Sequence, residues 1–545
     1  MALRIPKGTQ MLKDGYKTLQ GLEEAVLRNI TAVHDLSEIT RTSFGPNGRN
    51  KIIINHLEKL FVTNDAATII RELEVVHPAA KLLVMASQQQ EAEMGDASNL
   101  VSIIAGELLQ KAEHLIRMGL HPSDIVQGYE VALTKALEII EELSVEEAKN
   151  VQSKEDIAKA VRSSIASKQF GNEDLLTDLV SEAALAVMPK DPSNFNVDNV
   201  RIVKIMGSSL YESRVIKGMV FGRSPEGVVT NAKKAKVAIF TCPLDIAQTE
   251  TKGTVLIHNA NEMLDFTKGE EKHMESMLKS IADAGVKVVV TGNGVGELAL
   301  HYLNRFGILV VKVLSKFDLR RLCRVTGATA LARVGTPMAE ELGYCEVVES
   351  VEIGGDRVTV FRQEEEATKT ATIVIRGATQ NYLDDVERAL DDGINVIKAI
   401  VKDPRLVPGA GASEMELLKR LLIVGEKTPG LNQHSIKKFA EAFEVIPRTL
   451  AENAGMDATE VVSKMYASHH ADDSGVMGVD VESENNGLLD AHGAGIFDVL
   501  SAKSQAIRLA TETAITVLRV DQLIMSKPAG GPVVPKKQQQ HWDED

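Results

Sequence analysis

The chain has 545 residues, of which 61 are basic and 76 acidic, so its formal net charge is −15. Hydrophobic residues make up 44% and charged residues 25%, values that are typical of soluble globular proteins and argue against a disordered chain or a membrane protein. The excess of acidic residues argues against a general nucleic-acid binder, because neutralising phosphates requires a basic surface. At about 100 to 200 residues per domain, the length predicts roughly three domains.

The first part of the chain has the periodicity of amphipathic helices. Apolar residues three or four positions apart recur within residues 19–33, 100–115 and 126–140, and this spacing places them on one helix face. We therefore predict a helical layer over residues 1 to about 145. Two polar, glycine-bearing loops interrupt it, at residues 43–50 and 94–99.

The middle of the chain has a different pattern. Short β-rich runs at residues 236–242, 286–292 and 307–315 are separated by a helical stretch at Glu297–Arg305 and by turns rich in glycine and proline. This alternation predicts an α/β domain.

A further strand is predicted at Ala371–Gly377, followed by a helix over residues 382–401 that Asp403 and Pro404 end. The chain then becomes helical again, with a long apolar stripe over residues 500–517. The order helical, mixed, helical indicates that the middle is inserted into a helical domain formed by the two ends. The tail from Lys527, which includes Trp542, has the composition of a disordered segment.

Three cysteines, Cys242, Cys323 and Cys345, are too few and too scattered for a disulfide framework or a metal knuckle. No secretion signal starts the sequence, and no stretch approaches the roughly 18 apolar residues of a membrane span. We therefore expect a reducing, cytoplasmic compartment, with neither a membrane nor nucleic acid as partner.

The loop Gly95-Asp-Ala-Ser-Asn99 has the form of a phosphate site. Its small residues let backbone N–H groups approach an anion, and the helix that follows adds the positive end of its dipole. Asp96 suits such a site only if a divalent cation such as magnesium lies between the carboxylate and the phosphates. The alternative is a simple helix start capped by Ser98 or Asn99.

Asp392 lies roughly opposite the apolar stripe of its predicted helix and can therefore face a cavity or solvent. Without further information, Asp392 is interpreted as a solvated carboxylate, because Asp side chains usually lie at the surface.

Two other patterns are weaker. The turn Gly292-Asn-Gly-Val-Gly296 resembles a dinucleotide-binding loop, but Glu297 stands where the third glycine belongs, so a tight strand-to-helix turn is favoured. His469 and His470, with Asp472 and Asp473, could ligate a metal, but adjacent histidines point apart in regular structure. An exposed loop is therefore predicted there.

Taken in order, GPNGRNK, TNDAATI, GDASN, VPGAGASEMEL, LAENAG and AITVLRVDQLIM resemble the motifs of the chaperonin family, specifically its group II branch. The match spans nearly the whole chain, and the order and spacing of the motifs are more specific than any one of them. The resemblance implies an ATPase that uses ATP and Mg²⁺ to fold non-native proteins.

The resemblance implies an α+β multidomain chaperonin fold. A helical equatorial domain would comprise residues 1–145 and 403–527, a small intermediate hinge domain residues 146–212 and 369–402, and an α/β apical domain residues 213–368. A helical protrusion is expected around residues 249–274, and residues 528–545 would form a disordered tail. The implied partners are paralogous subunits in two stacked eight-membered rings, and non-native clients such as actin and tubulin.

The family's site residues transfer to specific positions of this chain. Asp96 would hold the magnesium, and Asp65 and Asp392 would be the catalytic carboxylates that orient and activate the attacking water. Contacts to the nucleotide would come from Asp96 and from the residues Phe44, Gly45, Ala97, Ser98, Asn99, Gly411 and Asp498.

Three alanines depart from the family pattern, because Ala66, Ala97 and Ala410 replace glycines. A Cβ then stands where backbone should approach the ligand, and a positive φ there costs about 1 kcal/mol or more. Since all three acidic groups are retained, we expect intact chemistry with weakened nucleotide affinity. The alternative is a structural ring subunit with weak or no ATP turnover. An oxidoreductase is the third hypothesis, and Glu297 opposes it.

Overall fold

The computed structural model describes residues 17–20, 25–148, 150–245, 259–363, 370–471, 475–482 and 487–525. The predicted tail, with Trp542, lies outside these residues, as do Asp472, Asp473 and the first part of the predicted protrusion.

The N-terminal part is mainly helical and includes one hairpin. Its elements are β1 (Lys17–Gln20), α1 (Leu27–Arg41), β2 (Lys51–Ile54), β3 (Leu60–Thr63), α2 (Ala66–Glu72), α3 (Pro78–Glu93), α4 (Ser98–Arg117) and α5 (Pro122–Glu142). One expectation was wrong, because Leu19 lies in a strand rather than in the first helix. The strand pair β2–β3 was not predicted.

The middle part contains both helices and strands. Its first elements are β4 (Glu146–Glu147), α6 (Lys154–Ala166), α7 (Glu173–Val187), β5 (Val200–Met206), β6 (Arg214–Phe221), β7 (Asn231–Phe240), α8 (Ala260–Asp283) and β8 (Val286–Thr291). Then follow α9 (Glu297–Arg305), β9 (Leu309–Lys312), α10 (Lys316–Thr326), β10 (Ala330–Leu331), β11 (Gly343–Ile353), β12 (Asp356–Arg362), β13 (Ala371–Gly377) and α11 (Gln380–Lys402). Three short 3₁₀ helices connect them, at Pro192–Asn194, Val197–Asn199 and Leu210–Glu212.

Nine strands of this part form one sheet, in the order β5-β13-β6-β12-β11-β7-β8-β9, with β10 beside β7. The strands β7, β8 and β9 are parallel and are joined by helices, whereas β11 and β12 form an antiparallel hairpin. The predicted α/β character of the middle is therefore present.

The C-terminal part is again helical. Its elements are β14 (Arg405–Pro408), α12 (Ala412–Lys427), α13 (Asn432–Ala442), α14 (Val445–Asn453), α15 (Ala458–Ala471), β15 (Met477–Val479), β16 (Leu488–Asp490), β17 (Phe497–Val499), α16 (Leu500–Leu518) and β18 (Gln522–Met525). Strands β18 and β1 pair antiparallel, which joins the two ends of the chain.

The hydrophobic clusters show which elements pack together. One large cluster combines buried residues of α1 and α3–α5 with those of α12–α16. A second combines α6, α7 and α11 with β13. Further clusters cover the sheet and its helices. Because residues from both chain ends share one core, the middle is inserted into a helical unit, as the order of elements predicted.

His469 corrects the expectation of an exposed loop. It lies in α15, and its side chain is 1% exposed. The ring Nε2 donates to the carbonyl oxygen of Met477 at 2.8 Å, and Nδ1 lies 3.1 Å from Glu416 Oε2. His469 occupies a buried position of the helix and His470 an exposed one. The sequence alone does not indicate which residues pack against the buried histidine.

We expect His469→Ala to destabilise the protein by about 1 to 3 kcal/mol, because the buried Glu416 carboxylate and the Met477 carbonyl lose a hydrogen-bond partner. The matched control is His470→Ala, at an exposed position of the same helix. The midpoint of thermal unfolding should fall for the first variant only. Equal midpoints would show that the buried contacts contribute nothing.

The cysteines Cys242, Cys323 and Cys345 are all unpaired. Within the described ranges, none of the helices combines the length and the apolar character that a membrane span requires.

Candidate functional site

Loops that are far apart in sequence meet around a cavity of about 630 Å³. The predicted site residues that line it are Phe44, Gly45, Asp65, Asp96, Ala97, Ser98, Asn99, Gly411 and Asp498. Asp392 is the exception, because its buried side chain lies behind that of Lys168, which does line the cavity. The structure therefore brings the predicted residues together at one place.

The start of α4 forms one wall of this cavity. Ala97 is the N-cap residue, with φ +63°, and no side chain makes a capping hydrogen bond. The alternative in which Ser98 or Asn99 caps the helix is therefore wrong. Because no side chain occupies the first N–H groups of α4, they remain available to an anion, and the helix dipole favours negative charge there.

Asp96 lies beside this helix start. Its Oδ1 accepts a hydrogen bond from the Ala97 N–H at 2.6 Å, and the residue lines the cavity. The second carboxylate oxygen remains for a metal. A carboxylate next to an anion site fits magnesium, which combines carboxylate and phosphate oxygens with water. Within the described ranges no group of three His, Cys, Asp or Glu side chains could hold a metal, so phosphate would have to complete the coordination.

Asp65 lies across the cavity, at the N-cap of α2. Its Oδ2 accepts hydrogen bonds from the Thr68 N–H at 3.1 Å and the Thr68 hydroxyl at 2.7 Å. Burial alone would raise the pKa of Asp65, but the Lys168 ammonium and the Thr68 hydrogen bonds outweigh it and lower the pKa to about 2. Asp65 is therefore a carboxylate at neutral pH.

Lys168 links the two predicted catalytic acids. Its Nζ donates to Asp65 Oδ1 at 3.1 Å and forms a close ion pair with Asp392 Oδ2. Burial alone would lower the pKa of Lys168, but the charges of Asp392 and Asp65 raise it. The lysine thus stays charged and partly compensates two buried acids.

Asp392 is 8% exposed, which corrects the interpretation as a solvated carboxylate. Helix α6 packs against α11, and Lys168, in the loop that follows α6, reaches the carboxylate. The prediction from the apolar stripe assumed that α11 is packed on one face only, whereas other elements pack against more than one face of this helix. Burial raises the pKa of Asp392 well above its ordinary value.

Lys168 was missed at the sequence level, because no motif distinguishes it from the other lysines of the chain. A second contact fixes its loop. Gln169 donates from Nε2 to Asp385 Oδ2 at 2.7 Å, and Asp385 Oδ1 accepts from the Thr63 hydroxyl at 3.1 Å. The loop with Lys168, the loop with Asp65 and helix α11 are therefore bound to one another.

Phe44 and Gly45 form another edge of the cavity. Gly45 has φ +82°, and a Cβ on it would lie 2.5 Å from the side chain of Leu450. Asn453 Nδ2 donates to the Phe44 carbonyl at 2.8 Å. The turn thus requires glycine and is held against α14.

Gly411 and Asp498 form a further part of the cavity wall. Gly411 is the N-cap of α12, with φ +80°. Asp498 lies in β17 and pairs with Val407 of β14. The Asp498 carboxylate forms an ion pair with Lys503, Oδ2 to Nζ 2.9 Å.

Of the three alanines that replace glycines, Ala97 and Ala410 adopt positive φ, at +63° and +53°. Ala66 is the first residue of α2 and has no positive φ. The expected backbone strain is therefore wrong for Ala66 and right for the other two.

The turn at residues 292–296 is a tight connection from β8 to α9. A Cβ on Gly296 would lie 2.4 Å from Asp245 Oδ1, so the last glycine of the turn packs closely against the neighbouring loop.

The sequence matches known proteins of one family. A family model described as the TCP-1/cpn60 chaperonin family matches residues 36–528. The chain is 65% identical to the probable T-complex protein 1 subunit theta of Schizosaccharomyces pombe. It is 53% identical to the T-complex protein 1 subunit theta of Bos taurus and to that of Saccharomyces cerevisiae. Each alignment covers 100% of both chains. The chain therefore belongs to the TCP-1/cpn60 chaperonin family, has its α+β multidomain fold, and within it resembles the theta subunits.

Proposed function

We propose that this chain is an ATP-hydrolysing subunit of a double-ring, hetero-oligomeric chaperonin that folds non-native proteins in the cytoplasm. The observation that carries the proposal is the cavity. Its lining includes an uncapped helix start, Asp96 and Asp65. Lys168 also lines it and forms an ion pair with the buried Asp392. Transfer of the γ-phosphoryl group to water requires a phosphate-binding site, neutralisation of the phosphate charge and an oriented water molecule, and little else.

The phosphates would lie at the start of α4, in contact with Ala97, Ser98 and Asn99. Asp96 would hold magnesium, which neutralises phosphate charge when it is bound. Phe44 and Gly45 would flank the nucleotide, and Gly411 and Asp498 would contact its base and ribose. This arrangement places the negative end of the ligand at the N–H groups of the helix.

Asp65 and Asp392 would orient and activate the attacking water. A base is most effective when its pKa is not far below the working pH, and burial raises the pKa of Asp392. In the observed arrangement Lys168 covers Asp392, so the carboxylate reaches water only if Lys168 shifts. Hydrolysis would therefore require a small movement of the loop at residues 167–169.

The order of the elements supports a proposal of three domains. Residues 1–145 with 403–527 would bind nucleotide, residues 146–212 with 369–402 would be the hinge, and residues 213–368 would bind clients such as actin and tubulin. Since α11 belongs to the hinge and carries Asp392, rotation of the hinge would couple hydrolysis to closure of the chamber. Paralogous subunits would complete each eight-membered ring.

The experiment that tests the proposal is photolabelling of the assembled complex with an azido-ATP analogue, followed by separation of the subunits. This chain should be labelled, and ATP should compete. A chain that stays unlabelled while its ring neighbours are labelled would overturn the proposal.

Ala97→Gly should tighten nucleotide binding a few-fold, because it removes a methyl group from the loop that would contact the phosphates. The strain of φ +63° is present at Ala97 without nucleotide, so its relief should mainly change the stability of the protein. A nucleotide titration measures the gain in affinity.

Ala66→Gly is the matched control, because Ala66 also lines the cavity but belongs to α2 and not to the loop that would contact the phosphates, so it should gain no affinity. If Ala97→Gly leaves affinity unchanged or weaker, the loop has adapted to alanine and the inference of a weakened site is wrong.

A structural subunit with weak or no ATP turnover is the second candidate. The methyl groups of Ala97 and Ala410, which both line the cavity, favour it, because a Cβ limits how closely the backbone approaches a nucleotide. The retained acids Asp65, Asp96 and Asp392 favour hydrolysis, which is why we place it first.

A further inference from the structure

Lys503 is a buried lysine in the wall of the cavity. Its Nζ donates to the Ser413 hydroxyl oxygen at 2.6 Å and forms ion pairs with Glu414 Oε1 at 2.8 Å and Asp498 Oδ2 at 2.9 Å. An ammonium group has three N–H donors, and these three acceptors use all of them. The position of Nζ is therefore fixed from three sides.

The three charged side chains differ in their access to the cavity. Lys503 is 7% exposed and Glu414 3%, whereas Asp498 is 33% exposed. Burial alone would lower the pKa of Lys503, but the charges of Asp498 and Glu414 outweigh it and raise the pKa. Lys503 therefore stays charged, and Asp498 is the member of this trio that presents a carboxylate to a ligand.

The ion pair also determines which oxygen of Asp498 is available. Oδ2 is occupied by Lys503, whereas no described residue donates a hydrogen bond to Oδ1. Because β17 fixes the backbone of Asp498 and Lys503 fixes its Oδ2, Oδ1 is held at one position on the cavity wall.

We propose that Lys503 is a positioning residue for sugar recognition, which makes this site selective for ribonucleotides over deoxyribonucleotides. The inference rests on the proposed function, in which Asp498 contacts the ribose. An immobilised carboxylate oxygen accepts hydrogen bonds from a vicinal diol, and a sugar that lacks one hydroxyl leaves this acceptor without a full set of donors.

The charge of the cluster favours the same ligand group. One positive and two negative side chains leave a net charge of −1, which repels phosphate and suits neutral hydroxyl donors. The start of α4 favours anions instead. The two parts of the cavity wall therefore favour one orientation of the nucleotide, with its sugar at Asp498 and its phosphates at the start of α4.

Lys503 further joins the sugar contact to the glycine loop, because Ser413 and Glu414 lie in the first turn of α12, directly after Gly411. Replacing the lysine would release Asp498 and leave Glu414 buried without its counter-ion. The sugar contact should then lose its fixed geometry, whereas the phosphate end should be unaffected.

The test is competition by ATP and by 2′-deoxy-ATP against azido-ATP labelling of this chain, in assembled complexes that carry the variant in this subunit alone. Wild type should prefer ATP by about tenfold or more, as expected for a hydrogen bond to a charged group. Lys503→Met keeps the length and removes the charge, and it should reduce the preference to nearly one, mainly through weaker competition by ATP. Ser413→Ala keeps the ion pair with Asp498 and should retain the preference.

If Lys503→Met weakens competition by both nucleotides equally, or if wild type shows no preference, the inference is wrong. If wild type is not labelled at all, the proposed function fails instead. Lys503→Gln, which is polar and fits a buried site more easily, serves if the methionine variant does not assemble, and it should also reduce the preference. A preference that persists in the glutamine variant would overturn the role of Lys503.

Discussion

Asp392→Ala is expected to slow ATP hydrolysis at this subunit's site by about 10²- to 10⁴-fold, the usual contribution of a general base or a water-positioning group. Nucleotide binding should be spared, because the Asp392 side chain does not line the cavity. The physical reason is that the attacking water loses its proton acceptor, whereas the phosphate contacts at α4 stay in place. Single-turnover hydrolysis by this subunit measures the effect.

Asp391→Ala is the matched control for this prediction, because Asp391 is adjacent on α11 and exposed. It should hydrolyse ATP at the wild-type rate. An unchanged single-turnover rate in Asp392→Ala would remove Asp392 from the mechanism. A parallel loss of binding would mean that the residue supports the site only structurally.

Asp96→Ala is expected to abolish the magnesium-dependent retention of nucleotide. Without this carboxylate, magnesium loses its protein ligand at the phosphate end. Chelating magnesium should have the same effect on wild type, because the Asp96 carboxylate and the phosphates would then repel each other directly. Filter retention of labelled ATP with and without magnesium measures both.

The matched control is Glu93→Ala, since Glu93 is exposed near the same loop and does not line the cavity. It should retain ATP in a magnesium-dependent way. Equal ATP affinity of the wild-type site with and without magnesium would contradict the role that we assign to Asp96.

Long amphipathic helices and regular strands could be predicted from the sequence. The helix α9 and the strand β13 were predicted with their observed bounds, because glycine, proline or a polar turn borders a short and regular pattern. The hairpin β2–β3 could not be predicted in this way. Its Ile52 and Ile54 are 70% and 67% exposed, so the burial that normally produces a strand pattern is absent.

The loops of the site could be predicted, but the contacts between them could not. Motif order identified Asp65, Asp96 and Asp498, whose loops then meet at the cavity. Lys168 lies in no motif, and Lys503 ends the stretch GIFDVLSAK, in which only Asp498 was singled out. The importance of both lysines follows from burial beside acids of other elements. Long-range ion pairs of this kind have no local signal.

The central claim, that this subunit hydrolyses ATP at the described cavity, is tested most directly by following one bound nucleotide. An azido-ATP analogue carrying label at either the α or the γ phosphate is bound to the assembled complex, incubated for one turnover and crosslinked, and this chain is isolated. We predict that the γ label is lost from this chain while the α label remains, and that Asp392→Ala retains both. Retention of both labels on the wild-type chain would contradict the account.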